Sequence, residues 1–195
     1  MNLREALSVL SKSSPYAVAT ASELAGSPFD ELKKCLYVET DIENAFKDRL
    51  ENIKSNEIIF LCGSSGDGKS EILTKYKKKF EQYVDFHLDA THSFEPKTSA
   101  IDTLNNVFTE HAKSPRALVV GINVGMLGNY EREGSNEHEV VKTAIRKFFQ
   151  NGRSEGLYTF LDFESFPKFS IVDGRVSSPF FSQLLDKVVI DDRDN

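Results

Sequence analysis

Residues 57–73 read EIIFLCGSSGDGKSEIL. Five apolar residues, from Ile58 to Cys62, run straight into a loop with glycine at 63, 66 and 68, and then come Lys69, Ser70 and a fresh apolar pattern. No other stretch restricts the fold so much. A continuous apolar run of strand length suits a strand buried on both faces of a parallel sheet. The spacing G-x-x-x-x-G-K-[ST] directly after it is the strand, loop and helix arrangement of a phosphate-binding loop.

A polyphosphate carries dense negative charge, which backbone N–H groups and a helix N-terminus can meet without distorting the fold. Glycines let the backbone curl around it where a Cβ would clash or forbid the dihedral. Lys69 then supplies a mobile ammonium for the β- and γ-phosphates, and the Ser70 hydroxyl is placed to bind Mg²⁺. The expected nucleotide-binding set is Gly63, Ser64, Ser65, Gly66, Asp67, Gly68, Lys69, Ser70 and Glu71. ATP with Mg²⁺ is the expected ligand, since no N-K-x-D base-reading pattern accompanies the loop.

Around this motif the periodicities alternate. Residues 2–12 show an amphipathic helical pattern and 13–28 a Ser-, Pro- and Ala-rich linker composition. TDIENAFKDRLENI carries Thr40 and Glu43 in capping-box spacing and reads as the helix that delivers the chain to the loop strand. After the loop helix, YVDFHLDATHSF reads as a strand, TSAIDTLNNVFTEHA as a helix and RALVVGINV as another strand. Asn136 with Glu139 is placed to cap a further helix, LYTFLDFESF reads as a fourth strand, and FSIVDGRV as a hairpin turning at Asp173-Gly174. Ser178-Pro179 opens a last helix. This order predicts an α/β fold: a P-loop NTPase-like three-layer αβα sandwich on a mostly parallel sheet, with a short N-terminal helical extension and a C-terminal hairpin. The expected division is an N-terminal lead-in over 1–35 and a nucleotide-binding core over 36–195.

Hydrolysis asks for more than binding. A carboxylate at the end of a neighbouring strand holds the metal or its water, and a further polar residue positions the attacking water. Two places offer the carboxylate: Asp89, closing DFHLD, and Asp162 with Glu164, closing YTFLDFE, the second acid falling on the same strand face as the first. An acid that merely closes a strand end reads equally well at both. Asn123, closing ALVVGIN, stands where a γ-phosphate-sensing residue belongs, and also where a plain strand-to-loop turn does. The metal candidates are therefore Ser70, Asp89 and Asp162, and the catalytic candidates Lys69, Asp89, Asn123, Asp162 and Glu164. His87, His92, His111 and His138 lack metal-ligand spacing and read as surface or satisfied core residues.

A formal net charge of −6 argues against a broad basic face of the chain's own for nucleic acid. The cluster KYKKK, Lys75 to Lys79, falls on the loop helix and reads as its solvated face. Cys35 and Cys62 alone cannot form a metal site, and Cys62 reads as a buried small hydrophobe. No apolar run approaches the ~20 residues of a membrane span, so a cytoplasmic location without membrane contact is expected.

Taken together, FLCGSSGDGKSEIL, HLDATHSFEP, LVVGINVGMLGNY and FLDFESFPKF resemble the DptF (DndF) family of bacterial DNA phosphorothioation-dependent restriction proteins, over the span from about Leu36 to Phe169. The resemblance implies an ATPase-like subunit that works with the other subunits of its restriction system against unmodified DNA, touching DNA indirectly or through partners. It puts the phosphate loop at Gly63 to Ser70, and Asp89 and Asn123 near the nucleotide. Members of that family are longer, so an N-terminal fragment of a longer protein is expected, with turnover dependent on partners. Two other functions fit the loop: a small-molecule P-loop kinase, and a scaffold module that binds ATP without hydrolysing it.

Overall fold

The computed structural model describes residues 28–88 and 99–189. These form two compact units, one holding the stretch up to Asn44 together with Phe166 onward, the other Ala45–Ser165.

The larger unit is the α/β core. Its strands β1 (Ile58–Cys62), β2 (Val84–His87), β3 (Ala117–Ile122) and β4 (Tyr158–Asp162) form one parallel sheet in the order β2-β3-β1-β4. In register, Cys62 lies between Ile122 on β3 and Asp162 on β4. The strand that feeds the loop is thus paired on both edges. All five of its residues are buried, as are all six of β3, which is why both read as unbroken apolar runs.

Alternation along the strands gives each face its own helices. Ile58, Phe60 and Cys62, with Leu118, Val120, Ile122 and Phe160, pack with Leu104 and Phe108 of α4 (Ala100–Ala112), Leu127 and Tyr130 of α5 (Val124–Glu133), and Ile145 and Phe148 of α6 (Glu139–Asn151). Phe60, Phe160 and Phe148 stack in a column, with centroids 4.8 and 4.5 Å apart at 6° and 8°. On the opposite face, α3 (Lys69–Phe80) comes so close to β3 that a Cβ at Gly121 would stand 2.4 Å from Leu73 Cδ1. Phe46, in the Ala45–Glu51 part of α2 (Asp41–Glu51), meets Tyr76 of α3 edge to face at 5.6 Å. The expected three-layer arrangement is the one observed.

The smaller unit holds α1 (Pro28–Leu36), the start of α2, a hairpin of β5 (Ser170–Val172) and β6 (Arg175–Ser177), and α7 (Pro179–Val188). Thr40 Oγ1 accepts the Glu43 N–H at 3.4 Å, half of the expected capping box. The hairpin turns at Asp173 and Gly174 with both φ values positive, 51° and 74°. Ser178 Oγ caps α7, accepting from Phe181 N, with Pro179 in its first turn. Lys187 Nζ of α7 donates to the Cys35 carbonyl of α1 at 3.0 Å.

Three local expectations are corrected. The third strand, read through Val124, ends at Ile122, and residues 124–133, past the strand-to-loop turn expected at Asn123, form α5, because Asn123 Oδ1 accepts the Met126 N–H at 2.6 Å and Leu127 and Tyr130 are buried. Asn136 caps no helix: Ser135 Oγ accepts from Glu137 N and opens a short 3₁₀ turn, Asn136–His138, ahead of α6. β4 stops at Asp162, and Glu164 lies in the following 3₁₀ turn, Phe163–Ser165, off the strand face. The helical reading of 2–12 and the linker composition up to residue 27 fall outside the described residues. Among the described residues no helix is long and apolar enough to cross a membrane.

Candidate phosphate-binding site

Gly63 leaves β1 buried, still tied to the sheet by its N–H, which donates to the Ile122 carbonyl at 3.2 Å. The chain then turns outward, and Ser64, Ser65, Gly66, Gly68 and Ser70 are exposed. Gly66 and Gly68 adopt φ of +87° and +104°, a region that side chains other than glycine's rarely enter. A Cβ built at either would meet no heavy atom within 4 Å. Dihedral, and not crowding, therefore requires these two glycines. Gly63 is the opposite case: a Cβ there would stand 2.7 Å from Asp67 Oδ2 and 2.8 Å from Phe163 Cδ2.

Gly68, in the left-handed conformation, precedes α3 without a side-chain cap. A helix that opens without a side-chain cap presents the positive end of its dipole to whatever sits in front of it. Lys69 begins this helix, and its Nζ reaches back across the loop to the carbonyls of Gly63 at 2.8 Å and Ser64 at 2.6 Å. The ammonium thus spans the loop mouth. Glu71, half-buried, occupies the first helical turn, where an acidic side chain complements the dipole.

Strand order decides which acids lie near. Asp162 ends β4 beside Cys62, one strand spacing of about 4.8 Å from the residue that precedes the loop. Burial pushes the Cys62 thiol well above its ordinary range, the Asp162 carboxylate raises it further and the Lys69 ammonium pulls it down. Asp162 and Lys69, 93 positions apart in sequence, therefore act on the same point under the loop. Asp162 also closes its strand, since its Oδ1 accepts the Glu164 N–H at 3.2 Å. Glu164 itself is exposed. Asp89 lies outside the described residues, and β2, the strand leading toward it, is separated from β1 by β3. Asn123, at the end of the neighbouring β3, has its side-chain oxygen engaged as the α5 cap.

Among the described residues, no group of three or more His, Cys, Asp or Glu side chains forms a metal cage. A hard cation held by one carboxylate, a hydroxyl and the ligand's own phosphate oxygens needs none, and Asp162 and Ser70 are oxygen donors of that kind. Sequence reasoning overlooked Phe163, the buried ring against Gly63; the apolar residue directly after the strand-closing acid was the available signal. His138 is the satisfied core histidine expected: its Nδ1 meets the Tyr130 hydroxyl at 2.8 Å and its Nε2 the Thr109 hydroxyl at 3.2 Å. No protein-family model, curated protein or solved structure matches the chain.

Proposed function

We propose that this chain binds ATP with Mg²⁺ through Gly63–Ser70 and is the nucleotide-dependent subunit of a bacterial phosphorothioation-dependent restriction system, acting on DNA through partner subunits. One observation carries the nucleotide reading: the loop between a fully buried central strand and an uncapped helix has left-handed glycines with open space around them, and its lysine spans the mouth. The restriction assignment is supported by the order of the motif blocks alone.

In this reading the N–H groups at the start of α3 bind the phosphates, Lys69 leaves the Gly63 and Ser64 carbonyls for the β- and γ-phosphates, and Ser70 and Asp162 take Mg²⁺ or its waters. Bound Mg²⁺ draws charge from the phosphates and leaves the terminal phosphorus more open to attack.

Calorimetric titration of Mg²⁺-ATP into the wild type and Lys69→Ala tests the reading. Binding that weakens at least about a hundredfold in the variant supports it. Equal affinity in both would falsify it. Turnover that needs partner subunits or DNA favours the restriction subunit, phosphate transfer to a small molecule favours a kinase, and binding without turnover under any condition favours a scaffold.

A further inference from the structure

One charged group in the loop carries the same sign as the phosphates: the carboxylate of Asp67. It is half-buried, whereas Ser64, Ser65, Gly66 and Gly68 around it are exposed. Its Oδ2 accepts the Ser64 N–H, while the Asp67 N–H donates back to the Ser64 carbonyl at 3.4 Å. The same Oδ2 and the Phe163 ring flank one point, the position a Gly63 Cβ would take, at 2.7 and 2.8 Å. The carboxylate is therefore folded over Gly63 on the inner side of the loop, beside a buried ring.

Two consequences follow from that placement. The reciprocal pair closes the turn from residue 64 to 67, which commits the Ser64 and Asp67 N–H groups and leaves those of Gly66, Gly68 and Ser70 to a ligand. Preforming a loop in this way removes an ordering cost from binding. The second consequence is electrostatic. Within the loop the Asp67 carboxylate offsets the one ammonium, that of Lys69, and Asp162 closes the neighbouring strand beside Cys62, so a bare polyanion meets negative charge there as well as donors. Chelation by Mg²⁺ neutralises part of the ligand's charge before it arrives.

Resting on the phosphate-binding reading above, we propose that Asp67 is a positioning residue that presets the phosphate loop and, through its charge, makes the loop select a magnesium-chelated polyphosphate over the free anion.

The test titrates the 195-residue chain with Mg²⁺-ATP and with ATP in EDTA, for wild type, Asp67→Asn, Asp67→Ala and Lys69→Ala. Asparagine keeps an acceptor for the Ser64 N–H without the charge. Asp67→Asn is expected to shrink the preference for the chelated form about tenfold. Asp67→Ala is expected to lose about tenfold or more toward both forms, a loss that asparagine rescues. Wild-type affinity in Asp67→Ala overturns the positioning role, and an undiminished preference in Asp67→Asn overturns the selection. Should Asp67→Ala fail to fold by circular dichroism, the Ser64 amide resonance of the wild type decides the first point. That resonance lies at the field of a hydrogen-bonded amide and moves in Asp67→Asn if the contact holds, and an identical resonance in the two proteins overturns it. Lys69-dependent binding with no response at Asp67 sinks this proposal alone, whereas binding indifferent to Lys69 removes the phosphate site and this proposal together.

Discussion

At the N-terminal end of β1, the buried Glu57 carboxylate receives Arg49 at 2.6 and 2.7 Å, the Thr159 hydroxyl at 2.9 Å and the Lys54 N–H at 3.2 Å. At its C-terminal end, five residues on, the chain opens into exposed glycines and serines with no heavy atom near the Gly66 and Gly68 Cβ positions. One strand thus joins two polar clusters of opposite construction. In the first, a buried carboxylate is answered entirely from within the protein, and the product is a fixed position for β1, β4 and α2. In the second, exposed glycines and serines bring N–H donors to the surface, and only Lys69 and the local turns are answered from within the loop. Polar groups closed among themselves hold a fold together, and polar groups left open are where a ligand can replace the missing partner.

Four kinds of change test the contrast between the two ends. Largest is Asp162→Asn, expected to reduce Mg²⁺-dependent turnover by at least about a hundredfold while ATP binding stays within a few-fold. Intact turnover there, with loss in Asp89→Asn, would move the metal role to the other acid. Next, Glu57→Ala at the closed end removes the acceptor for Arg49, Thr159 and the Lys54 N–H. It should lower unfolding free energy by about 2–3 kcal/mol in urea titration and leave Mg²⁺-ATP affinity of the folded protein unchanged. A change in affinity without a change in stability would mean that the two ends are not separate in function.

Gly63→Ala forces the Phe163 ring or the Asp67 carboxylate aside and should cost about 1–3 kcal/mol of stability. Gly66→Ala meets no such crowding, and its cost of about 1–2 kcal/mol comes from the left-handed backbone. Equal response of the two to a larger side chain would undo that distinction.

Smallest is a pH effect at neither end. Burial lowers the His138 and His111 pKa values from 6.5. Below that pH the unfolded chain takes up protons that the folded one refuses, so stability present above pH 6.5 should fall as the solution is acidified. His138→Gln should flatten the fall in a urea-midpoint series from pH 8 to 5, and an unchanged slope would show that His138 does not contribute.

The open end was more legible in the sequence than anything else because its chemistry is local: glycine, lysine and serine positions carry the loop geometry within eight residues. The same holds for Ser178-Pro179 at the head of α7 and for Asp173-Gly174 in the hairpin. What escaped depends on distant partners. Helix α5 contains Gly125 and Gly128, poor helix formers, and is held by the burial of Leu127 and Tyr130, which periodicity alone did not reveal. Asp89 and Asp162 were indistinguishable along the chain, since only strand order tells which strand runs beside β1. The closed end was invisible for the same reason. Arg49, Glu57 and Thr159 lie far apart in sequence and carry no motif.

Cys62 gives the molecule a clock. Of the two thiols, Cys35 is exposed and Cys62 lies buried at the foot of the loop, with its thiolate disfavoured by burial. An alkylating reagent should therefore modify Cys35 at once and reach Cys62 only when the sheet opens there, so the slow phase counts openings of the strand beneath the loop. A ligand that grips the loop should lengthen that phase, reporting its arrival through the strand beneath it.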